Sequence, residues 1–189
     1  MTNKSEIILV VVGYRLGALG WLANEKAGMS GNYGFTDQLE VLKWIQTNIA
    51  AFGGDPKQVT LGGQSAGASS TTAHLVSPAS KGLFHKVIVE SNPLTLPMRL
   101  IDDVTENLGK PFAGYVGCKE DDFQCLQQLP IDVILNAQYE CDKYKNLSVP
   151  LETFLPWAPA VGSQDGLIPY QTFDGRSFSN NFPQRNISY

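Results

Sequence analysis

Short apolar segments alternate with longer segments of helical periodicity through the first half of the chain, and this alternation strongly constrains its fold. Residues 7–12 form an unbroken apolar run that predicts a strand buried on both faces. Further strands are predicted at 59–61 and 86–91, and helices at about 36–51 and 66–75. Parallel strands need crossover helices between them. The sequence therefore predicts an α/β fold with a mostly parallel sheet and crossover helices.

The helical period is clearest at 36–51, where apolar residues recur at spacings of three and four. Beyond residue 92 the pattern weakens. A helix over 104–115 is predicted with an interruption at Pro111, because proline lacks a backbone N–H. Shorter helices are predicted near 121–127 and 131–138, followed by loop. The apolar stripe of the first helix consists of Leu39, Leu42, Ile45 and Ile49.

Composition and charge argue against two classes of partner. The 189 residues carry 14 Lys and Arg against 18 Asp and Glu, a net charge of -4, with no dense basic cluster for nucleic acid. A membrane span needs about 20 apolar residues and a signal-peptide core about 7–15, whereas the run at 7–12 is shorter. We therefore expect no nucleic-acid partner and no membrane span. We also expect no metal and no cofactor, and the oligomeric state stays open.

The pentapeptide Gly63-Gln64-Ser65-Ala66-Gly67 lies between a predicted strand and a predicted helix. A serine hydroxyl is a weak nucleophile at neutral pH, so it needs a base and hydrogen-bond donors placed for the developing oxyanion. A Gly-x-Ser-x-Gly turn in this context presents the serine in a strained, exposed conformation. Ser65 is therefore the candidate nucleophile, and the backbone N–H of Ala66 is the candidate oxyanion donor.

Ordered motifs extend on both sides of this turn. They are YRLG at 14–17, GWL at 20–22, GNYG at 31–34, DQ at 37–38, Trp44, NIAAFGGDP at 48–56, GQSAG at 63–67, HLVSP at 74–78 and KGLFH at 81–85. In this order they resemble the type-B carboxylesterases, which include the cholinesterases. The resemblance implies that residues 1–189 form an incomplete domain with a partial α/β-hydrolase fold. Residues 7–92 are its well-matched core, and 93–189 are a helical and loop region.

The resemblance also implies ester hydrolysis through a Ser-Glu-His triad and an acyl-enzyme intermediate, with a small-molecule ester as substrate. It gives Ser65 the role of nucleophile and Ala66 one oxyanion N–H. Ser91 matches a serine that supports the catalytic acid and base, and Met98 falls where many members place an acyl-pocket aromatic. Gln64 stands where the family usually has Glu, and its neutral amide implies weaker attraction for cationic substrates.

Neither histidine is predicted to act as the base. His74 follows Ser65 on the same predicted helix, about 13 Å along it and half a rotation away, so a buried or capping role is the better interpretation. His85 precedes the strand at 86–91, whereas catalytic groups gather at the C-terminal ends of parallel strands. The carboxylates in predicted loops with no preceding strand are interpreted as solvated: Asp142, Asp165 and Asp174.

The acid, the base and the main oxyanion loop are therefore expected outside these 189 residues, and the chain alone is expected to be nearly inert. Three hypotheses follow. The chain is the nucleophile portion of a carboxylic-ester hydrolase, a non-catalytic relative used for adhesion or binding, or a truncated remnant of an esterase. The intact turn around Ser65 favours the first, because a binding protein has no need for it.

The resemblance implies a short disulfide loop between Cys118 and Cys125, as in secreted family members, and the alternative is two free thiols. Cys141 has no predicted partner in the chain. Together with three sequons, the cysteines favour a secreted, extracellular location. The candidate N-glycosylation sites are Asn3, Asn146 and Asn186.

Two structural roles are predicted near the start of the chain. Arg15 and Asp37 are expected to form a buried ion pair that orients the loop at 31–34. Four aromatic residues are expected to belong to the core rather than to a ligand cage: Tyr14, Trp21, Tyr33 and Trp44.

Overall fold

A computed structural model of the chain describes residues 7–92, 98–141 and 156–169. It divides into two compact units. Unit 1 comprises Met1–Gly13, Asp37–Leu94 and Gly166–Tyr189, and unit 2 comprises Tyr14–Thr36 and Thr95–Asp165. Several residues singled out from the sequence lie outside the described residues: Asn3, Asp142, Asn146, Asp174 and Asn186.

Helices and short strands make up the regular structure of the described residues. The helices are α1 (Gly17–Trp21), α2 (Tyr33–Asn48), α3 (Ala66–Val76), α4 (Ile101–Val104), α5 (Lys110–Tyr115), α6 (Phe123–Gln127) and α7 (Ile131–Cys141). The strands are β1 (Thr60–Gln64), β2 (Lys86–Glu90), β3 (Arg99–Leu100) and β4 (Ala160–Val161).

Unit 1 contains a strand–helix–strand arrangement of the parallel type. β1 and β2 pair in parallel, with Thr60 opposite Lys86 at one end and Gln64 opposite Glu90 at the other. α3 leaves the C-terminal end of β1 and packs against both strands. This arrangement confirms the predicted parallel pairing with a crossover helix. It also brings the C-terminal ends of both strands to the same edge.

The predicted helix at 36–51 is confirmed as α2 with a 3₁₀ turn, Ile49–Phe52, at its end. The chain leaves the helix at Gly53, whose φ of 83° lies in the left-handed region that glycine adopts without steric cost. The whole predicted apolar stripe is buried: Leu39, Leu42, Ile45 and Ile49.

The strand predicted at 7–12 does not form. Residues 7–16 have no regular secondary structure, and Val11 is 83% exposed. A strand exists only through hydrogen bonds to a neighbour, and within the described residues this segment has none from another strand. The apolar run therefore has the composition of a strand, but the described residues offer it no strand to pair with.

The predicted burial of the third strand is also wrong. β2 forms at the predicted place, but all five of its residues are exposed, and Ile88 is 54% exposed. Backbone pairing with β1 is enough to define the strand. Burial needs further elements over both faces of the sheet, and the described residues do not supply them.

Unit 2 consists of short helices around apolar cores. Helices of five or six residues are unstable in isolation, so packing must hold them. One buried cluster includes Leu22, Phe112, Leu126 and Ala137. Another consists of Ala23, Ile101, Val104, Leu108 and Ala160.

The predicted interruption at Pro111 does not break the helix. The chain is helical from Ile101 to Tyr115, with a π-helical turn at Thr105–Gly109 between α4 and α5. Pro111 lies inside this continuous helical segment and lacks the N–H that would bond to an earlier carbonyl. The π turn lets the chain continue past the proline. The shorter predicted helices are confirmed as α6 and α7.

The aromatic residues near the start divide between core and surface. Trp21 is buried and packs edge-on against Tyr14, with ring centroids 6.4 Å apart. Trp44 is 45% exposed and packs against the exposed ring of Phe52, so its predicted core position is wrong. α2 presents Trp44 on the side opposite its buried stripe.

Arg15 is exposed rather than buried, which corrects part of the predicted ion pair. Its guanidinium lies over the ring of Tyr33, 5.5 Å from the centroid, and donates a hydrogen bond to the Tyr33 carbonyl at 3.4 Å. The pairing of Arg15 with Asp37 stays a prediction.

Asn32 anchors the segment around β4 to the rest of unit 2. It is buried with φ 56°, a left-handed conformation that Asn tolerates better than most residues. Its side chain donates from Nδ2 to the Ala160 carbonyl at 2.8 Å and accepts from the Ala160 N–H at 2.9 Å. The Asn32 amide thus provides hydrogen-bond partners for both the N–H and the carbonyl of the buried Ala160.

We expect Asn32→Asp to lower the free energy of unfolding by roughly 2–5 kcal/mol, because a buried carboxylate cannot donate to the Ala160 carbonyl. Asn32→Gly is the comparison variant, since it keeps the left-handed backbone and removes the side chain together with both hydrogen bonds. Urea unfolding of the three proteins measures the effect. Equal stability of wild type and Asn32→Asp would contradict the anchoring role.

Candidate active site

Ser65 occupies the sharp turn between β1 and α3. Its backbone has φ 52° and ψ -113°, a conformation that costs a non-glycine residue about 1–3 kcal/mol. The N–H of Ser65 donates to the Glu90 carbonyl on β2 at 3.0 Å, and its carbonyl accepts from the Ser69 N–H at 3.0 Å. The strained residue is therefore held on one side by the sheet and on the other by the first turn of α3.

Only one glycine of the pentapeptide is required by close packing. A Cβ on Gly63 would lie 2.2 Å from the Gly67 carbonyl oxygen, so the turn closes only because Gly63 has no side chain. A Cβ on Gly67 would meet nothing within 4 Å. The two glycines occupy equivalent places in the sequence motif, but only Gly63 is required for the turn to close.

The groups around Ser65 are arranged for chemistry at a surface. Gln64, Ser65 and Ala66 are all exposed, so the Ser65 hydroxyl is accessible from solvent. Ala66 is the first residue of α3, and its N–H has no partner within the helix. The positive end of the helix dipole favours negative charge at this place. The geometry presents an exposed hydroxyl beside a place suited to negative charge.

His74 is a structural residue, as predicted. It is 2% exposed, with its Nδ1 2.8 Å from Ser80 Oγ and its Nε2 3.1 Å from Gln38 Oε1. Gln38 Oε1 only accepts, so Nε2 carries the proton and Nδ1 accepts from Ser80. Gln38 in turn donates to Ser70 Oγ at 3.1 Å. Burial lowers the pKa of the His74 imidazole to about 4, so it is neutral at pH 7.

His85 lies at the opposite end of the strands from Ser65, also as predicted. Its N–H donates to the Val59 carbonyl at 2.8 Å, just before β1 begins. Ser65 follows β1 at the other end, roughly 20 Å further at about 3.3 Å per residue. The chain contains two histidines, and neither is placed to take a proton from Ser65.

The other predicted site residues stand at different places. Ser91 directly follows β2, at the same sheet edge as Ser65, and is exposed with φ 51°. Met98 belongs to unit 2, and its role in an acyl pocket stays a prediction. Asp165 accepts from Ser163 Oγ. A two-residue strand, β4, does precede Asp165, which corrects the expectation of no strand there.

The sequence did not predict a role for one residue near Ser65. Asn92, two residues after β2, bonds to two hydroxyls of α3, Ser69 Oγ and Thr72 Oγ1. The rule that functional groups gather at the C-terminal ends of parallel strands could have directed attention to it.

The predicted disulfide is present. Cys118 and Cys125 are joined, with their Cα atoms 5.8 Å apart. Asp122 caps α6 between them by accepting from the Cys125 N–H at 3.0 Å. The described residues include no group of three acidic, histidine or cysteine side chains that could hold a metal ion. None of the helices among them is long and apolar enough to cross a bilayer.

A strained serine between a parallel strand and a helix, with a glycine that permits close approach, has the strand–turn–helix geometry of the elbow in the α/β-hydrolase class. The chain belongs to the carboxylesterase family, whose model matches residues 1–183. It is 38% identical over 168 residues to the cAMP-regulated D2 protein of Dictyostelium discoideum, covering 89% of this chain and 30% of that protein. It is 36% identical over 165 residues to Esterase E4 of Myzus persicae, and the match covers 85% of this chain and 29% of that esterase.

Solved structures show the same relationship. A thermophilic pNB esterase matches with a TM-score of 0.72 and 31% identity, covering 84% of this chain and 32% of that one. The predicted partial α/β fold is thereby confirmed. The chain spans about a third of the length of these relatives.

We expect Gly63→Ala to lower the free energy of unfolding by roughly 1–3 kcal/mol, because the added methyl collides with the Gly67 backbone. Gly67→Ala adds the same methyl where there is room, and alanine favours a helix over glycine by up to about 1 kcal/mol. Urea unfolding of both variants makes the comparison. Equal losses from the two substitutions would show that the turn does not close as described.

His74 makes stability depend on pH. The unfolded imidazole takes up a proton near pH 6.5 and the folded one near 4, so between these values the unfolded state binds more protons. We therefore expect the free energy of unfolding to fall by roughly 3 kcal/mol as pH drops from 6.5 to 4, at about 1.4 kcal/mol per pKa unit. Urea unfolding at several pH values measures this loss.

His74→Gln is the test variant and His85→Gln the matched control. His74→Gln should remove that part of the pH dependence, and His85→Gln should retain it. A His74→Gln variant with the wild-type slope would contradict the assignment.

Proposed function

We propose that this chain carries the nucleophile portion of a serine carboxylic-ester hydrolase. The observation that supports the proposal most is the left-handed backbone of Ser65 at the C-terminal edge of a parallel strand pair. Such a conformation is costly, and it persists where the surrounding structure enforces it for function. Membership of the carboxylesterase family supports the same activity.

In the proposed reaction, Ser65 Oγ attacks the carbonyl carbon of a small-molecule ester while a base takes the hydroxyl proton. The carbonyl oxygen becomes an oxyanion, and the N–H of Ala66 donates to it at the N-terminus of α3. The alcohol leaves with a proton from the protonated base, and an acyl group stays on Ser65. Water, deprotonated by the same base, then releases the acid and regenerates the serine.

The base in this proposal comes from outside the 189 residues. His74 is neutral and holds Gln38 and Ser80, and His85 lies at the far end of the strands. We propose that the catalytic acid and the main oxyanion loop also come from outside the 189 residues. Residues 1–189, with the core at 7–92 and the region at 93–189, then form an incomplete domain that is nearly inert alone.

Three neighbouring residues have proposed supporting roles. Ser91 supports the acid and base from the end of β2, and Met98 lines the acyl pocket. Gln64 is exposed beside Ser65 and carries no charge, so it gives a cationic substrate no electrostatic advantage. We therefore propose neutral esters as the preferred substrates.

A secreted location is part of the proposal. The disulfide between Cys118 and Cys125 persists best in an oxidising compartment. N-glycosylation at the three sequons would accompany secretion, at Asn3, Asn146 and Asn186.

A fluorophosphonate probe tests the proposal, because it forms a covalent bond only with an activated serine. We expect labelling of Ser65 in the longest product of the transcript and none in the 189-residue chain alone. Ser65→Ala should abolish the label. Ser77→Ala is the matched control, because the buried Ser77 hydroxyl has no hydrogen-bond partner among the described residues.

The outcomes separate the three hypotheses. An unlabelled Ser65 in a longer, folded product would overturn the hydrolase proposal and favour an adhesion or binding protein. A transcript that ends after residue 189, with no label and little soluble protein, would identify a remnant. Labelling of the 189-residue chain alone would overturn the proposal that the base lies outside it.

A further inference from the structure

Asn92 joins the end of β2 to helix α3. Its Nδ2 donates to Thr72 Oγ1 at 2.6 Å, and its Oδ1 accepts from Ser69 Oγ at 3.3 Å. Ser69 and Thr72 are three residues apart in α3, so their side chains lie on one face of the helix. A single half-buried amide therefore makes two bonds to neighbouring positions of the same helix.

The backbone of Ser91 is what brings Asn92 to this place. Its φ of 51° turns the chain sharply at the C-terminal end of β2, where a strand would otherwise continue straight. Ser65 turns the chain at the equivalent end of β1 with φ 52°. Both strands are therefore followed by a serine with positive φ: Ser65 itself after β1, and Ser91, which precedes Asn92, after β2.

The two bonds reach the part of α3 that holds the elbow. The N–H of Ser69 donates to the Ser65 carbonyl at 3.0 Å and closes the first turn of the helix. The hydroxyl of Thr72 donates to the Ala68 carbonyl at 3.0 Å, so its lone pairs are free to accept from Asn92. The directions of all four hydrogen bonds are consistent, because the Asn92 amide carries a donor and an acceptor on separate atoms and uses one for each hydroxyl.

We propose that Asn92 is a positioning residue that fixes the first turns of α3 against the end of β2 and so aims the Ala66 N–H and the Ser65 hydroxyl. This inference rests on the proposed function for its catalytic consequence. A strained turn persists only where its surroundings over-determine it. The Ser65 N–H bond to Glu90 holds the turn from the sheet side, and Asn92 holds it from the helix side.

Asn92→Ala removes both bonds and Thr72→Val removes one while keeping the side-chain shape. In the longest product of the transcript, with p-nitrophenyl acetate as substrate, we expect kcat to fall roughly 10–100-fold for Asn92→Ala, with KM changed less than about twofold. Thr72→Ser keeps the hydroxyl and should retain wild-type kcat. Thr47→Val is the matched control. The Thr47 hydroxyl on α2 donates to the carbonyl one turn earlier, as Thr72 does on α3, but it has no contact with Asn92.

A double-mutant cycle shows whether Asn92 acts through Thr72. Asn92→Ala should reduce kcat less in the Thr72→Val background than in wild type, because the shared bond is already lost. Additive effects, or equal losses from Thr72→Val and Thr72→Ser, would overturn the proposed route.

Amide hydrogen exchange, measured by mass spectrometry, gives a readout that needs no activity. We expect the amides of residues 69–72 to exchange roughly tenfold faster in Asn92→Ala, with those of 39–45 in α2 unchanged, because the loss is local. Unchanged exchange and unchanged kcat would overturn the positioning role while the hydrolase proposal stands. An unlabelled wild-type Ser65 would instead overturn the catalytic consequence, and the exchange data would still decide whether Asn92 holds the helix.

Discussion

The parallel register between β1 and β2 is the constraint on which the candidate site depends. Parallel pairing brings two strand ends to one edge, and the ladder continues one step past β1, because the Ser65 N–H bonds to Glu90. A shift of one residue would turn the side chains of β2 to the opposite faces and remove that bond. The turn at Ser65, the start of α3 and the approach of Asn92 all follow from this register.

Features that depend on local pattern could be predicted from the sequence. The stripe that begins at Leu39 identified α2, and the glycines around Ser65 identified the elbow, because each signal lies within a few turns of chain. The position of His74 on the same helix as Ser65 excluded it as the base and left a buried or capping role, and the structure shows it buried. These outcomes need only helix period and turn chemistry, which any short segment expresses by itself.

Several features that depend on distant neighbours could not be predicted, although the parallel pairing of β1 with β2 was. The run at 7–12 has the composition of a buried strand, but pairing is decided by what lies beside it. The same holds for the exposure of β2 and of Trp44. Asn92 gave no local signal, since its two partners lie about twenty residues earlier in the chain. The interruption expected at Pro111 did not occur, because a π turn before it absorbs the strain.

The exposed faces of β2 have a consequence for how the protein behaves at different concentrations. An extended strand with exposed Val87, Ile88 and Val89 offers apolar side chains and backbone groups to any other extended segment it meets. Pairing between two molecules is second order, so its rate per molecule rises in proportion to concentration, whereas the rate of folding per molecule is independent of concentration. Dilute handling slows encounters without slowing folding and therefore favours the monomer kinetically.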